Sequence, residues 1–331
     1  MSASSLALPI LDQDLETRLR ARMEEVEAEL EDAIQSEAGF VTTAARHLMH
    51  AGGKRFRPLL VLLAAETGDS SRDGVVTSAC VVELTHLASL YHDDVMDEAV
   101  LRRGAESANA RWDNLVAILT GDFLFSKSSE LTARLGADAV KIQAETFTRL
   151  VEGQILETLG PSEDDDPLEH YLRVVAGKTG SLIATSARYG ARFAGAPLEV
   201  EEALTAYGER VGTAFQLSDD IIDIASESDE SGKTPGTDLR EGVPTLPVLI
   251  AQRSTDPGDV RLLELLGSDL SDDARHAEAL ALLRVHPAMD QARAYVLERA
   301  NEARQLLKVL PEGPVRDALD AFAELIATRS S

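Results

Sequence analysis

The chain has 331 residues, 44% of them apolar and only 4% aromatic, which is enough for a large core filled mainly by aliphatic side chains. Asp and Glu number 57 against 32 Lys and Arg, so the formal net charge is −25. A field of that sign excludes nucleic acid and anionic lipid as general partners, and it repels a polyanionic substrate unless local cations or metal ions receive it. Cys80 is the only cysteine, which rules out an intramolecular disulfide and a multi-cysteine metal site. Leu6–Leu11 is too short for a leader, and no apolar run approaches bilayer length, so the expected location is the cytoplasm.

Apolar residues recur at helical spacing from the start. Leu15, Leu19, Met23, Val26 and Leu30 lie three or four apart and predict a helix over 15–34, within an N-terminal helical segment of residues 1–35. Helices follow at about 40–51, 57–66, 75–96, 108–119, 121–134, 137–158, 167–194 and 199–224. The remainder predicts helices at about 243–252, 260–266, 272–284, 288–308 and 313–328. Gly and Pro punctuate them, strand alternation is scarce, and no linker or repeat period stands out. The pattern predicts an all-α, single-domain helical bundle spanning 1–331. Two acidic loops interrupt it: 162–166, read as a solvated turn, and 226–242, whose length suits a flap.

Chemistry concentrates in a few places. Asp93-Asp94-Val95-Met96-Asp97 ends one helix, with Asp93 and Asp97 a turn apart on one face. Asp219-Asp220-Ile221-Ile222-Asp223 repeats that spacing in an apolar helix, where charge is expensive unless compensated. Hard oxygen ligands of this kind suit Mg²⁺, which shares its shell with phosphate oxygens and water. Two such helices facing each other across a cavity would turn an acidic site into a diphosphate receptor. Cations accompany them: Lys54, Arg55 and Arg57 after a Gly pair, Arg102 and Arg103 before Gly104, and Lys178 between Gly177 and Gly180. Lys178 is expected at a kink, because two glycines weaken the helix there. His86 lies two turns before Asp93 on nearly the same face.

With these residues in place, the chain resembles the trans-isoprenyl diphosphate synthases, and most closely their bacterial polyprenyl branch. The resemblance runs through GGKRFRP at 52–58, YHDDVMDEAVLRRG at 91–104, GDFLF at 121–125, GQ at 153–154, GKTGSL at 177–182, FQLSDDIID at 215–223 and GKTPGTDLREGVPTLP at 232–247. It implies an isoprenoid-synthase bundle around a deep central cavity. Asp93, Asp97 and Asp219 would bind Mg²⁺, with three ions per site, while Asp94, Asp220 and Asp223 support them. Lys54, Arg57, His86 and Arg103 would hold isopentenyl diphosphate. Arg102, Lys178, Thr179, Gln216 and Lys233 would grip the allylic diphosphate, and Glu157 would play a supporting role. Relatives often carry Lys where this chain has Val243, which leaves Lys233 and Arg240 as the flap's cations.

The implied reaction is Mg²⁺-dependent head-to-tail condensation of isopentenyl diphosphate with an allylic diphosphate, by a homodimer. Short-chain relatives place a large aromatic four or five residues before the first Asp. Here those positions are Ser89 and Ala88, so an all-trans product of C30 or longer is expected, with C20 as the alternative and the membrane as its destination. A terpene cyclase fits less well, because its second motif usually contains Asn, Ser and Glu. A squalene-type coupling enzyme would not need the 52–58 cluster. A non-catalytic synthase subunit commonly loses a motif that this chain keeps.

Overall fold

The computed structural model describes residues 10–226 and 235–329. Lys233 and the predicted flap's residues 227–234 lie outside them. Among the described residues the chain is helical but for one two-stranded hairpin, so the all-α reading holds. The helices group into two compact units. One comprises Met1–Thr148, Leu182–Gly208 and Leu307–Ala321; the other comprises Arg149–Ser181, Glu209–Leu306 and Phe322–Ser331.

The first unit is organised around α4 (Asp73–Met96), which packs against α1 (Gln13–Ala33), α3 (Phe56–Ala65) and α6 (Asn114–Arg134). α1 buries Leu15, Leu19, Val26 and Leu30, four of the five positions its periodicity selected, and Asp12 caps it by accepting from the Leu15 N–H at 2.7 Å. α4 is apolar nearly all round and buries Val75, Ala79, Val82, Leu84 and Leu87. By length and composition it could cross a membrane, contrary to the expectation that no run would, but 72% of its apolar window is buried inside the protein. That is the mark of a core helix. Each fully buried Leu or Val there contributes roughly 1.5–3 kcal/mol.

α2 (Gly39–His50) and α5 (Ala108–Arg111) pack against α6. The expected break near residue 120 falls instead at Trp112-Asp113, where Asp113 caps α6 through the Val116 N–H at 2.7 Å. Gly121 is a mid-helix residue rather than a stop. A Cβ there would meet the His92 ring at 2.3 Å and the Ala88 carbonyl oxygen at 3.1 Å, so glycine permits the close approach of α6 to α4. The hairpin β1 (Leu101–Arg102) and β2 (Ala105–Glu106) was not anticipated. Its two turn residues both have positive φ, Arg103 at 55° and Gly104 at 77°, as a tight two-residue antiparallel turn requires.

α7 (Ala137–Leu159), α9 (Ser181–Phe193) and α10 (Leu198–Ala225) each contribute to both units. In the second unit, α8 (Pro167–Val175) runs into a π-helical turn, Ala176–Gly180, which is the kink expected around Lys178. α11 (Thr237–Arg240) packs on α14 (Asp273–Val285), and α12 (Leu246–Ala251) packs on α8, α14 and α15 (Pro287–Leu306). α13 (Val260–Leu266) packs on α14, and α16 (Pro314–Thr328) ends the described helices.

Candidate active site

In the first unit, α4, the loop before α3, the first turn of α3 and the hairpin together hold Lys54, Arg57, His86, Arg102, Arg103 and the first acidic motif. Within that motif the middle carboxylate is buried completely and the last is exposed. Arg102 Nε donates to Asp94 Oδ1 at 2.6 Å, and its Nη2 lies 3.9 Å from Asp97 Oδ2. Burial pushes the Asp94 carboxyl above the ordinary carboxylate range and Arg102 opposes that shift. Asp94 Oδ2 is buried without a hydrogen-bond partner. Arg103 turns the other way and donates through Nη1 to the Leu48 carbonyl at 3.2 Å and to the Gly52 carbonyl.

Besides Arg102, three arginines surround His86, and they differ in what they hold. Arg55 pairs with Glu27 at 2.6 Å and with the buried Glu83 at 3.0 Å. Arg57 makes no ion pair among the described residues and its Nε has no hydrogen-bond partner. Burial brings its pKa down to about 10, against the pull of Glu83. Arg103 is held by carbonyl oxygens, and burial lowers its pKa as well. Burial holds the His86 imidazole well below its usual pKa, reinforced by Arg57, Arg103, Arg102 and Arg55, so His86 is neutral at neutral pH. Lys54 is exposed.

Ala88 is fully buried and Ser89 nearly so, with the Ser89 hydroxyl donating to the His86 carbonyl at 2.8 Å. Tyr91 points away from the motif, donating to the Ala44 carbonyl and accepting from the Leu48 N–H at 3.1 Å. One turn before Ala88 and Ser89, the Thr85 hydroxyl bonds Ser128 at 2.8 Å and accepts from Gln143 Nε2 at 2.6 Å. Phe147 packs against Phe125, with ring centroids 4.6 Å apart and the ring planes tilted by 58°.

In the second unit, Asp219 is exposed, Asp220 buried and Asp223 half-buried. Asp220 accepts from the Tyr171 hydroxyl and from Gln216 Nε2 at 3.1 Å. Thr179 Oγ1 donates to Gln216 Oε1 at 3.2 Å, so Thr179, Gln216 and Asp220 form one chain of contacts. Burial lifts the Asp220 carboxyl well above its usual range, with repulsion from Asp238, Asp223 and Glu157 added. Lys178 Nζ meets Glu157 Oε2 at 2.5 Å. Gly236 and Asp238 rest on Asp223, through its carbonyl at 2.9 Å and its carboxylate at 3.4 Å. Arg240 is committed to Asp273 at 2.8 Å and to the Ser271 carbonyl at 3.1 Å.

Both motifs suit a divalent cation. Each buries its middle carboxylate, the first leaves a buried oxygen unpartnered, and the second crowds three more carboxylates around Asp220. Among the described residues, no three His, Cys, Asp or Glu side chains converge closely enough to hold an ion alone. Sequence reasoning missed Tyr171, which lies two turns before Lys178, and the Glu83 partner of Arg55. Both are polar residues inside apolar helices, and that was the available signal.

All-helical architecture and paired acidic motifs accompanied by cations define a prenyl-transferring enzyme. The polyprenyl synthetase family model matches residues 39–283, and the chain belongs to that family. It is 51% identical over 312 residues to the nonaprenyl diphosphate synthase of Mycobacterium tuberculosis, covering 94% of this chain and 93% of that one. The geranylgeranyl pyrophosphate synthase of Corynebacterium glutamicum, solved in complex with calcium and isoprenyl diphosphate, superposes with a TM-score of 0.88 at 45% identity, covering 97% of this chain and 99% of that one. A decaprenyl diphosphate synthase from Rhodobacter capsulatus gives 0.88 at 34% identity, covering 96% and 99%.

Proposed function

We propose that the protein condenses isopentenyl diphosphate with an allylic diphosphate, head to tail, to give an all-trans polyprenyl diphosphate of C30 or longer. The observation that carries this reading is the cluster around His86. In a chain of net charge −25, Arg57 and Arg103 are held close together with no carboxylate in ion-pair contact among the described residues. Guanidiniums kept in that state suit a diphosphate.

Lys54, Arg57 and Arg103 would bind isopentenyl diphosphate, and neutral His86 would offer a hydrogen bond without adding charge. Asp93, Asp97 and Asp219 would hold Mg²⁺, three ions per site. When bound, these ions supply the positive charge that stabilises a departing diphosphate. Arg102, Lys178 and Lys233 would hold the allylic diphosphate, while Thr179 and Gln216 orient the second motif through Asp220. Lys178 would leave Glu157 to do so. The flap of 226–242 would exclude water. The family model runs through both compact units, which supports one synthase domain. Exposed Leu115, Ile118 and Leu119 on α6, and Val151, Ile155 and Leu159 on α7, support a homodimer.

Ala88 and Ser89, together with the nonaprenyl relative, favour a long product, and the Corynebacterium neighbour keeps C20 as the second reading. Incubation with isopentenyl diphosphate, Mg²⁺ and each allylic primer, followed by product chromatography, decides between them. A ladder ending at C30 or beyond supports the proposal. Termination at C20 or below overturns the length, and no condensation overturns the reaction.

A further inference from the structure

Arg329 follows α16 and belongs to the same compact unit as the second acidic motif. Its guanidinium lies over the Phe215 ring, 4.2 Å from the centroid. Nε donates to Ser218 Oγ at 2.9 Å, and Nη2 donates to the Phe215 carbonyl at 2.5 Å. From that position Nη2 reaches Asp219 Oδ1 at 3.0 Å. The Arg329 side chain is 20% exposed and that of Asp219 is 47% exposed. A casual surface ion pair is held only by its own attraction and is weak. Here a ring, a hydroxyl and a carbonyl fix the arginine first, and the carboxylate comes within its reach as a consequence.

We propose that Arg329 is a built-in counter-ion of the second motif, which neutralises Asp219 before metal arrives and competes with a divalent cation for that carboxylate. The inference rests on the reading of Asp219 as a metal ligand. A guanidinium and a divalent ion cannot both sit within about 3 Å of one carboxylate oxygen without strong repulsion. Metal binding at Asp219 Oδ1 therefore requires this contact to open, and binding at Oδ2 is opposed by the guanidinium that Phe215 and Ser218 keep close by. The arrangement holds the exposed carboxylate in place without metal and raises the metal concentration at which the motif fills.

The test uses the full-length protein and Mn²⁺ alone, with binding followed by loss of the free-ion electron paramagnetic resonance signal. Arg329→Gln is expected to tighten Mn²⁺ binding about 3- to 10-fold at low salt, with the gain shrinking as salt screens the pair. Arg329→Lys keeps the charge and is expected to stay within about twofold of wild type. Asp219→Asn is expected to weaken binding and to abolish the effect of Arg329→Gln in the double variant. If Asp219→Asn weakens binding but Arg329→Gln leaves it unchanged or weaker, the counter-ion role is overturned and the metal role of Asp219 stands. If Asp219→Asn does not change Mn²⁺ binding, both fall. Should Arg329→Gln lose helical circular dichroism, Ser218→Ala decides, because it removes the hydroxyl that accepts from Arg329 Nε and keeps the guanidinium over Asp219. Competition requires Ser218→Ala to bind Mn²⁺ more tightly than wild type, and unchanged or weaker binding overturns it.

Discussion

Gly153→Ala probes how the Lys178 turn is held. Gly153 on α7 and Gly177 in the π-turn mark a place where two backbones touch. A Cβ on Gly153 would lie 2.6 Å from the Lys178 backbone nitrogen and 3.0 Å from the Gly177 carbonyl carbon. Ordinary contact is about 3.5–4.0 Å, so the turn must move by roughly 1 Å. The obstructing atoms are backbone and cannot swing aside as a side-chain end could. Overpacking of this kind costs about 1–3 kcal/mol. Lys178 would lose its register with Glu157, and Thr179 its bond to Gln216. A shift of about 1 Å in a positioning group costs up to about 10²-fold in rate. Steady-state kinetics are expected to show kcat/KM for the allylic primer falling about 10- to 100-fold, with KM for isopentenyl diphosphate changing less than about twofold. Thermal unfolding should shift down by a few degrees. Wild-type kinetics with an unchanged Tm, or a rise confined to the isopentenyl diphosphate KM, would refute the reasoning.

Asp93→Ala and Asp219→Ala are each expected to abolish turnover at saturating Mg²⁺ while circular dichroism keeps its helical signal; near-normal activity in either would remove that residue from the metal site. Arg57→Ala should raise KM for isopentenyl diphosphate about 10-fold or more, the scale of a charge-assisted hydrogen bond, with a smaller effect on the primer. His86 takes its proton well below its ordinary pKa when folded and near it when unfolded. Below about pH 6.5 the unfolded state therefore binds more protons, and each unit by which the pH is lowered costs up to about 1.4 kcal/mol of stability. Urea denaturation at pH 7.5 and 5.5 should show this loss reduced in His86→Gln, and an equal loss in both proteins would contradict it. Ser89→Phe should shorten the product towards C15–C20 while sparing the first condensation, and an unchanged ladder by chromatography would count against a chain-length role.

Much of this was legible because helical periodicity and paired carboxylates are local signals. The four buried positions of α1 and both acidic motifs could be read from spacing alone, and the two glycines flanking Lys178 announced its irregular turn. What escaped was set by tertiary contact. Gly121 reads as a breaker in isolation and becomes a mid-helix residue only because the His92 ring occupies the space of its missing side chain. The hairpin has two-residue strands, too short for alternation, so Arg103-Gly104 looked like a loop. Arg240 looked available to the flap until α14 supplied Asp273. Arg329 lies 110 residues beyond Asp219, and no sequence pattern joins them.

The acidity of the chain explains why the cluster proposed to receive isopentenyl diphosphate takes the form it does. Arg55, Arg57 and Arg103 would repel one another if left bare, and full pairing would leave nothing to meet a diphosphate. Glu83 resolves this from the middle of α4. It is buried, forms its ion pair with Arg55, and attracts Arg57 and Arg103 from farther off. Glu27 completes the pairing of Arg55 from α1. Two carboxylates against three guanidiniums and Lys54 leave the cluster positive yet assembled. His86 stays neutral among them, since a further charge would undo that balance. The net positive charge of the cluster thus comes from the placement of one buried glutamate as much as from the arginines themselves.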